Sequence, residues 1–425
     1  MTPAIAPDAE CARRKIAVRL LPFLFLLYVT AFIDRVNVGF AGLFMTGELK
    51  FSNEVFGFGT GIFFFGYCLL EIPGAVLAQS WSARKWIAAI MVVWGTLAGL
   101  TGLIHTPFQF NTIRFLLGLA EGGFFPAVIV YLTHWFRQQD RAKAIALFMA
   151  AIPVSNAIGA PLAGLLLRLH WLGLSGWRWL LILEGIPAFL CGIVTFFYLP
   201  DWPKDARWLA PAERDWITGE LDRERREKEH TQRHLSILQA LRQPIVLVLA
   251  LSYFLLNTSG YGLNIWLPKM VEKIKGLTTW QVALVSAIPP LCAIPTMLLV
   301  GWHSDKTGER KWHAALAAAA AGIGLGLSQW AAGSPVLVVA SFSLATMGIL
   351  SYYPPFWALP IRLLSPATAA ASFGFINLIA NFGGFCGPYM IGFLTDRTHT
   401  YVAGVLLLVA TAFLSASLVA CLRRQ

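Results

Sequence analysis

The sequence predicts an all-α membrane protein in which about twelve transmembrane helices form two pseudo-symmetric bundles of six. Three observations lead to this prediction. The 425 residues are 57% hydrophobic with a mean hydropathy of +0.64, which leaves too few polar side chains to cover a soluble protein. Apolar runs of about 20 residues, the length that crosses a bilayer, recur along the chain. One long hydrophilic stretch divides these runs into two groups.

The apolar runs give the limits of the predicted helices and domains. In the first half they lie near 17–38, 54–79, 86–105, 109–135, 144–168 and 178–199. In the second half they lie near 244–268, 280–303, 313–332, 336–359, 369–394 and 400–422. We therefore predict an N-terminal bundle over residues 1–199, a cytoplasmic linker over 200–243 and a C-terminal bundle over 244–425.

Basic residues set the predicted orientation, because loops rich in Lys and Arg stay in the cytoplasm. The predicted cytoplasmic segments contain Arg13, Arg14, Lys15, Arg19, Arg84, Lys85, Arg137, Arg141, Lys143, Lys306, Arg310, Lys311, Arg362, Arg423 and Arg424. Fewer lie on the other side: Lys50, Arg168, Arg178, Lys269, Lys273, Lys275 and Arg397. We predict a multi-pass protein of the cell inner membrane with both termini in the cytoplasm.

The charge pattern gives no reason to expect a nucleic-acid partner. The net charge of +11 follows from the basic cytoplasmic loops. The charge run at residues 222–229 mixes both signs at helical spacing, which is typical of a solvated surface helix. The first apolar run is long, contains Asp34 and Arg35 and lacks a small-residue cleavage site, so it does not resemble a cleaved signal peptide.

Enzyme chemistry has no signature in the sequence. There is no Gly-rich phosphate loop, no Gly-x-Ser-x-Gly elbow and no cluster with metal-ligand spacing. The six cysteines stand singly, which predicts neither a disulfide framework nor a metal site. We expect no catalytic residues, no metal and no cofactor, so energy for any transport must come from an ion gradient or from exchange.

Short patterns recur at matching places in the two halves. Residues 301–311 (GWHSDKTGERK) follow the eighth apolar run, and residues 78–85 (AQSWSARK) follow the second without an acidic residue. The fifth run contains Gly159-Ala160-Pro161 and the eleventh contains Gly387-Pro388. Small residues of this kind let neighbouring helices approach closely.

Together these patterns, with Arg114, Gly118 and Gly122 in the fourth run, resemble the major facilitator superfamily over nearly the whole chain. Residues 32–37 (FIDRVN), 114–126 (RFLLGLAEGGFFP) and 199–203 (LPDWP) resemble more narrowly the anion:cation symporter family, particularly its bacterial tartrate, phthalate and hydroxyphenylacetate-type permeases. The resemblance implies uptake of carboxylates with protons, and gating by Asp305, Arg310 and Arg84.

Ionisable groups inside predicted spans are functional candidates, since each costs about 2.5 kcal/mol or more to insert. The well-buried ones are Asp34, Arg35, Glu71, Arg114, Glu121 and Glu184, all in the first half. A rise of about 1.5 Å per residue puts Arg35 beyond the middle of its span, toward the face opposite the cytoplasm, and Arg114 about 8 Å from that same face. Both arginines should therefore reach similar depth. Glu121 shares the helix face of Arg114 and lies near the midplane.

We predict that Arg35 and Arg114 bind the substrate carboxylate, through bidentate guanidinium contacts, and that Asp34 and Glu121 accept protons. The alternative for these residues is a set of interhelical ion pairs that only locks the bundle. Glu71 and Glu184 are interpreted as helix-packing residues.

The second half offers amide and aromatic groups for the body of the substrate. Asn257 and Tyr261, and likewise Asn377 and Asn381, are four residues apart and share helix faces. We predict substrate contacts from Asn257, Tyr261, Trp357, Asn377 and Asn381, together with Tyr67 of the first half. Ordinary packing is the alternative for each of these residues.

The combined prediction is a monomeric secondary active transporter that imports a small organic anion, a tartrate-like hydroxy acid or an aromatic acid, by proton symport with alternating access. Its expected partners are the anion, protons and the lipid bilayer. The main alternative is an antiporter that exchanges an organic anion or phosphorylated metabolite without proton coupling. A non-transporting membrane sensor is a second alternative, which the lack of an added signalling domain disfavours.

Overall fold

The structure is a computed structural model that describes residues 7–231, 243–331, 334–364 and 366–422. The first half contains α1 (Pro7–Glu48), α2 (Asn53–Ser80), α3 (Ala83–Thr101), α4 (Pro107–Gly122), α5 (Phe124–Thr133), α6 (Gln138–Met149), α7 (Ala151–Leu166) and α8 (Gly176–Tyr198). After a 3₁₀ turn (Pro203–Asp205) comes α9 (Pro211–Thr231). The second half contains α10 (Pro244–Glu272), α11 (Thr279–Thr307), α12 (Lys311–Trp330), α13 (Pro335–Leu363), α14 (Pro366–Thr398) and α15 (Val402–Ala420).

The helices confirm the predicted all-α membrane fold. Among the described residues, eleven helical segments are long and apolar enough to cross a bilayer, with α4–α5 and α6–α7 each forming one segment. The helix α12 has 20 residues but is not among the eleven, because it is rich in Ala and Gly, whose apolar surface is small. It nevertheless packs against α13 and α15 as the ninth span of the fold.

Proline and glycine account for the break between α4 and α5. Pro126 has no backbone N–H, so the carbonyl group of Gly122 loses its helical partner. Gly122 and Gly123 have little conformational preference for a helix, and Gly123 separates the end of α4 from the start of α5. The predicted single run over 109–135 is therefore two consecutive helices.

Three helix pairs form the contact between the halves: α2 with α14, α7 with α11, and α1 with α10. The α1–α10 pair joins the first spans of the two bundles. The other two pairs are equivalent to each other, because α2 corresponds to α11 and α7 to α14, as expected for a pseudo-symmetric repeat. Packing within the first bundle is dominated by α3 with α8 and α2 with α4, and within the second by α10 with α14 and α12 with α13. The contact between the halves thus involves α1, α2 and α7 of the first bundle and α10, α11 and α14 of the second.

The acidic part of the linker docks on the first bundle. Glu220 and Glu224 of α9 lie 3.7 Å from Arg137 Nη1 and 3.8 Å from Arg141 Nη2. Lys15 Nζ donates to Glu213 Oε1 at 2.7 Å, and this bond holds the pKa of Glu213 below its usual value. The mixed charges of α9 therefore pair with a protein surface, while the predicted linker residues 232–242 lie outside the described part of the chain.

Candidate functional site

An arginine and a glutamate from different helices form an ion pair at the centre of the first bundle. Arg35 of α1 donates through Nη2 to Glu121 Oε1 of α4. Their side chains are only 12% and 2% exposed. The Arg35 guanidinium also lies over three rings, 4.8 Å from Phe32, 5.5 Å from Phe63 and 5.2 Å from Tyr67. These rings hold the cation where water is scarce, so the charge acts strongly on any nearby anion.

Arg114 of α4 places a second guanidinium beside the first. Its central carbon lies 4.8 Å from the Phe63 ring, which Arg35 also approaches, and the residue is 3% exposed. The Nε groups of both arginines are buried and have no hydrogen-bond acceptor among the described residues. A buried charged donor without an acceptor is costly, so each of these two groups lacks a partner that the described residues could supply.

Asp34 adds a second carboxylate to this cluster. It is 3% exposed, and the indole Nε1 of Trp94 donates to its Oδ2 at 2.9 Å. In the carboxylate of Glu121, the second oxygen, Oε2, is buried and has no donor among the described residues. The sequence did not single out Trp94, because an apolar run gives no signal for one buried donor. The first bundle thus holds a cluster of four ionisable residues, with two guanidinium groups and two carboxyl groups: Arg35, Arg114, Asp34 and Glu121.

Close helix packing fixes the positions of these side chains. A Cβ atom on Gly118 would collide with the backbone carbonyl of Phe63, and one on Gly122 would collide with that of Tyr67. Small residues therefore let α4 lie directly against α2. This contact brings the rings of Phe63 and Tyr67 to the guanidinium groups and sets the depth of Glu121.

Glu184 of α8 lies in a second layer behind the cluster. Asn37, one turn after Asp34 on α1, donates through Nδ2 to Glu184 Oε1. Both side chains are buried. The bond ties α1 to α8, in agreement with the packing interpretation of Glu184.

Three of the predicted second-half residues have aromatic or amide partners near the centre. Tyr261 lies 4.5 Å from the Phe64 ring across the bundle contact. Asn257 donates to the Ala380 carbonyl at 3.2 Å and accepts from Tyr353 at 3.3 Å, so its amide is already engaged within the second bundle. The Trp357 ring packs 5.2 Å from Tyr253 and 5.3 Å from Phe373. Tyr67 is buried beside Arg35.

Asn377 and Asn381 contact a residue that the sequence suggested was only structural. The Nδ2 group of Asn377 donates to Glu71 Oε1, and that of Asn381 donates to Glu71 Oε2 at 3.1 Å. This contact joins α2 of the first bundle to α14 of the second. Spacing predicted that the two amides share a face, but it gave no information about the carboxylate opposite them.

The predicted gating residues form ion pairs within their own halves. Arg310 Nη1, in the loop between α11 and α12, lies 2.5 Å from Asp305 Oδ1 in the last turn of α11. Arg84 Nε lies 3.6 Å from Asp201 Oδ2, and Asp201 also accepts from the Ser82 hydroxyl and the Arg84 backbone N–H. The acid missing from residues 78–85 is thus supplied by the segment after α8, more than 100 residues later.

The end of the protein opposite the linker, which we call the far end, contains polar contacts between the bundles. The helix α10 continues past the predicted limit at 268, which makes Lys269 an interface residue that is 6% exposed and not a loop residue. Its Nζ donates to Thr46 at 3.0 Å and lies 4.6 Å from the Phe56 ring.

Asp396 of α14 caps the N-terminus of α2 from the other bundle. Its Oδ1 accepts from the backbone and side-chain nitrogens of Asn53 at 3.2 and 2.8 Å, and its Oδ2 accepts from the Glu54 backbone at 2.7 Å. Carboxylates stabilise helix N-termini in this way. Because the cap crosses the bundle contact, opening of the far end must break it.

Asp396→Asn should therefore favour a far-end-open state. The amide replaces one acceptor and removes the charge, and a cap of about 1 kcal/mol corresponds to about a fivefold shift in the equilibrium. We would measure labelling of Ile265→Cys, which lies at the α1–α10 contact, with an impermeant maleimide in a background without native cysteines. Asp205→Asn, at the linker end, is the matched control. Unchanged or slower labelling in Asp396→Asn would show that the cap does not hold this end closed.

Comparison with known proteins places this geometry in context. The family model of the Major Facilitator Superfamily matches residues 24–388. The chain is 42% identical to the "Putative tartrate transporter" of Agrobacterium vitis, over 97% of this chain and 94% of that protein. It is 37% identical to the "Quinolone resistance transporter" of Acinetobacter baumannii, over 92% of this chain and 90% of that protein. A crystal structure of a bacterial homologue of the human lysosomal transporter Spinster, 19% identical, superposes with a TM-score of 0.75 over 96% of each chain.

Proposed function

Because this chain belongs to the Major Facilitator Superfamily, it is a membrane transporter and not an enzyme, and we propose that it imports a small organic anion together with protons. The anion is a carboxylate, either a tartrate-like hydroxy acid or an aromatic acid. Transport proceeds by alternating access between two bundles around a central site. The "Putative tartrate transporter" of Agrobacterium vitis supports the hydroxy-acid class, since the likeness covers nearly the whole of both chains.

The observation that carries the proposal is the pair of buried guanidinium groups around Phe63. Arg35 and Arg114 each have a buried Nε without an acceptor among the described residues. A substrate carboxylate provides two oxygens, and guanidinium groups bind such oxygens in pairs. Rings on the same side supply an apolar wall for the carbon skeleton.

Charge balance in the cluster explains how a proton would accompany the anion. With all four side chains ionised, the two positive charges of Arg35 and Arg114 offset the two negative charges of Asp34 and Glu121. Binding of one carboxylate adds a negative charge to a buried site, which is unfavourable. Protonation of Glu121 or Asp34 restores neutrality, and it frees Arg35 from its ion pair to bind the substrate.

The remaining roles follow from position. Tyr67, Asn257, Tyr261, Trp357, Asn377 and Asn381 contact the body of the substrate and set specificity. Arg84, Asp305 and Arg310 act in gating at the linker end. The distribution of basic residues supports both termini in the cytoplasm of an inner-membrane protein, with bundles over 1–199 and 244–425 joined by a linker over 200–243. The transporter works as a monomer.

The test is uptake of labelled L-tartrate into proteoliposomes with an imposed pH gradient. An acidic exterior should accelerate entry and drive accumulation, and a protonophore should abolish the accumulation while leaving slow equilibration. Exchange that proceeds at the same rate with and without the gradient would contradict proton symport and indicate an antiporter. A parallel series with an aromatic carboxylate, such as phthalate, distinguishes the two substrate classes.

A further inference from the structure

Glu71 is a charged residue to which the transport mechanism above assigns no role. It lies on α2 with its carboxylate held by two amide groups from α14, one on each oxygen. Asn377 and Asn381 are one helical turn apart, so their Nδ2 groups point at the same spot. Two parallel N–H donors from one helix face form a receptor for a carboxylate, and here a carboxylate of the protein occupies it.

This receptor is next to the cationic part of the cluster. Tyr67 precedes Glu71 by one turn on α2, and the Arg35 guanidinium lies 5.2 Å from the Tyr67 ring. Glu71 is only partly buried, and Asn377 is also partly exposed. On the same helix, the thiol of Cys68 lies 3.8 Å from the Leu378 carbonyl, which marks a direct α2–α14 contact here. The amide pair thus lies at the α2–α14 contact, with Asn377 partly exposed and Asn381 buried.

We propose that Glu71 is a resident substitute for the substrate: its carboxylate occupies the Asn377–Asn381 amide pair in the empty transporter, and an oxygen-bearing group of the substrate displaces it. This inference rests on the proposed function, because it assumes that one end of the anion is bound by Arg35 and Arg114. The other end of the same anion then competes with Glu71 for the two amides. Once displaced, the Glu71 carboxylate is hydrated by the water of the open cavity.

Two consequences follow for specificity and movement. The preferred substrate has oxygen-bearing groups at both ends, as in a dicarboxylate or a polyhydroxy acid, because a simple apolar monocarboxylate has no group that replaces Glu71 at the amides. Displacement also removes a bond that ties α2 to α14, so substrate binding loosens the contact between the bundles. Occupancy is thereby linked to the rocking that alternating access requires.

The test compares L-tartrate binding by calorimetry in native protein, Glu71→Gln and Asn377→Ala/Asn381→Ala. A neutral glutamine competes less well for the amides than a carboxylate, because charge-assisted hydrogen bonds are about twice as strong as neutral ones. We expect Glu71→Gln to bind tartrate about fivefold more tightly, and the double-amide variant to bind it more weakly than native protein. Affinity for propionate should not rise in Glu71→Gln by the same factor.

A combined variant separates competition from simple charge repulsion. If Glu71 acts only by repelling the anion, Glu71→Gln should still tighten binding when both amides are absent; competition predicts that the gain disappears in the Asn377→Ala/Asn381→Ala background. Glu54→Gln is the matched control, because it removes a carboxylate from the same helix that contacts Tyr389 of α14 at 3.3 Å, away from the amide pair. It should leave affinity unchanged.

The outcomes distinguish this inference from the proposed function. If native protein binds tartrate but Glu71→Gln has equal or weaker affinity, or if the gain persists without the amides, the inference is wrong and the proposed function stands. If native protein neither binds nor transports tartrate, the proposed substrate class is wrong and the inference fails with it. Tighter binding confined to the background with intact amides supports both.

Discussion

Replacing Arg35 with lysine is expected to lower the initial rate of L-tartrate uptake about 100-fold, even though the positive charge is kept. The guanidinium of Arg35 bridges the Glu121 carboxylate and three aromatic rings at the same time. A lysine ammonium has no planar fork, so it cannot hold two oxygens in parallel while lying flat on these rings. It is also more strongly hydrated and therefore less suited to a site that is 12% exposed.

Arg19→Lys is the matched control for this variant. Arg19 lies on the same helix, with its guanidinium 5.1 Å from Tyr198 and 5.2 Å from Trp208, but near the linker end and outside the cluster. Its replacement should leave uptake within about twofold, since exposed cation–ring contacts contribute less than about 1 kcal/mol. Full tartrate affinity in both Arg35→Lys and Arg114→Lys would show that the anion binds elsewhere.

Glu121→Gln is expected to abolish proton-driven accumulation while keeping exchange. A glutamine cannot release a proton, so the cluster carries a fixed extra positive charge and binds a carboxylate without taking up a proton. Accumulation against a gradient should fall at least about tenfold, to the equilibrium level, whereas counterflow of labelled against unlabelled tartrate should stay within a few-fold of native protein. Both are measured in the same proteoliposomes, so the counterflow rate reports correct folding.

Loss of both activities in Glu121→Gln would indicate that the Arg35–Glu121 pair only holds α1 against α4. Retention of both would move the proton-binding role to Asp34, whose carboxylate is close to the same arginines. Asp34→Asn is then the next variant to assay for proton-driven accumulation and for counterflow. These patterns also separate a proton symporter from an antiporter, because an antiporter needs neither carboxyl group to titrate.

The fold was predictable because the length and apolarity of a span are local properties. Twelve apolar runs predicted the helices of both bundles to within a few residues in most cases. The departures include the first run, predicted at 17–38 and observed as Pro7–Glu48, and the run over 144–168, which divides at Ala150. The run over 109–135 divides at Gly122 and Gly123. The helix α10 extends to Glu272, and its Lys269 donates to Thr46 and lies over the Phe56 ring of the first bundle.

The central residues could be predicted only in part. Helical rise placed Arg35 and Arg114 at similar depth and Glu121 near the midplane, and the structure brings Arg35 and Glu121 into contact. Depth does not give the rotation of one helix relative to another, so the partners of Asp34 and Glu71 were not predictable. The link between Arg84 and Asp201 was missed for a related reason: the two residues belong to different segments that meet only in the folded chain.

The two bundles differ in kind at the centre of the protein. The first holds two arginines and two acids, whereas the described central residues of the second are amides and rings, including Asn257, Tyr261 and Trp357. Under the proposed function, substitution of neutral side chains in the second bundle would change the preferred substrate while the ionisable cluster that binds protons in the first bundle stays the same.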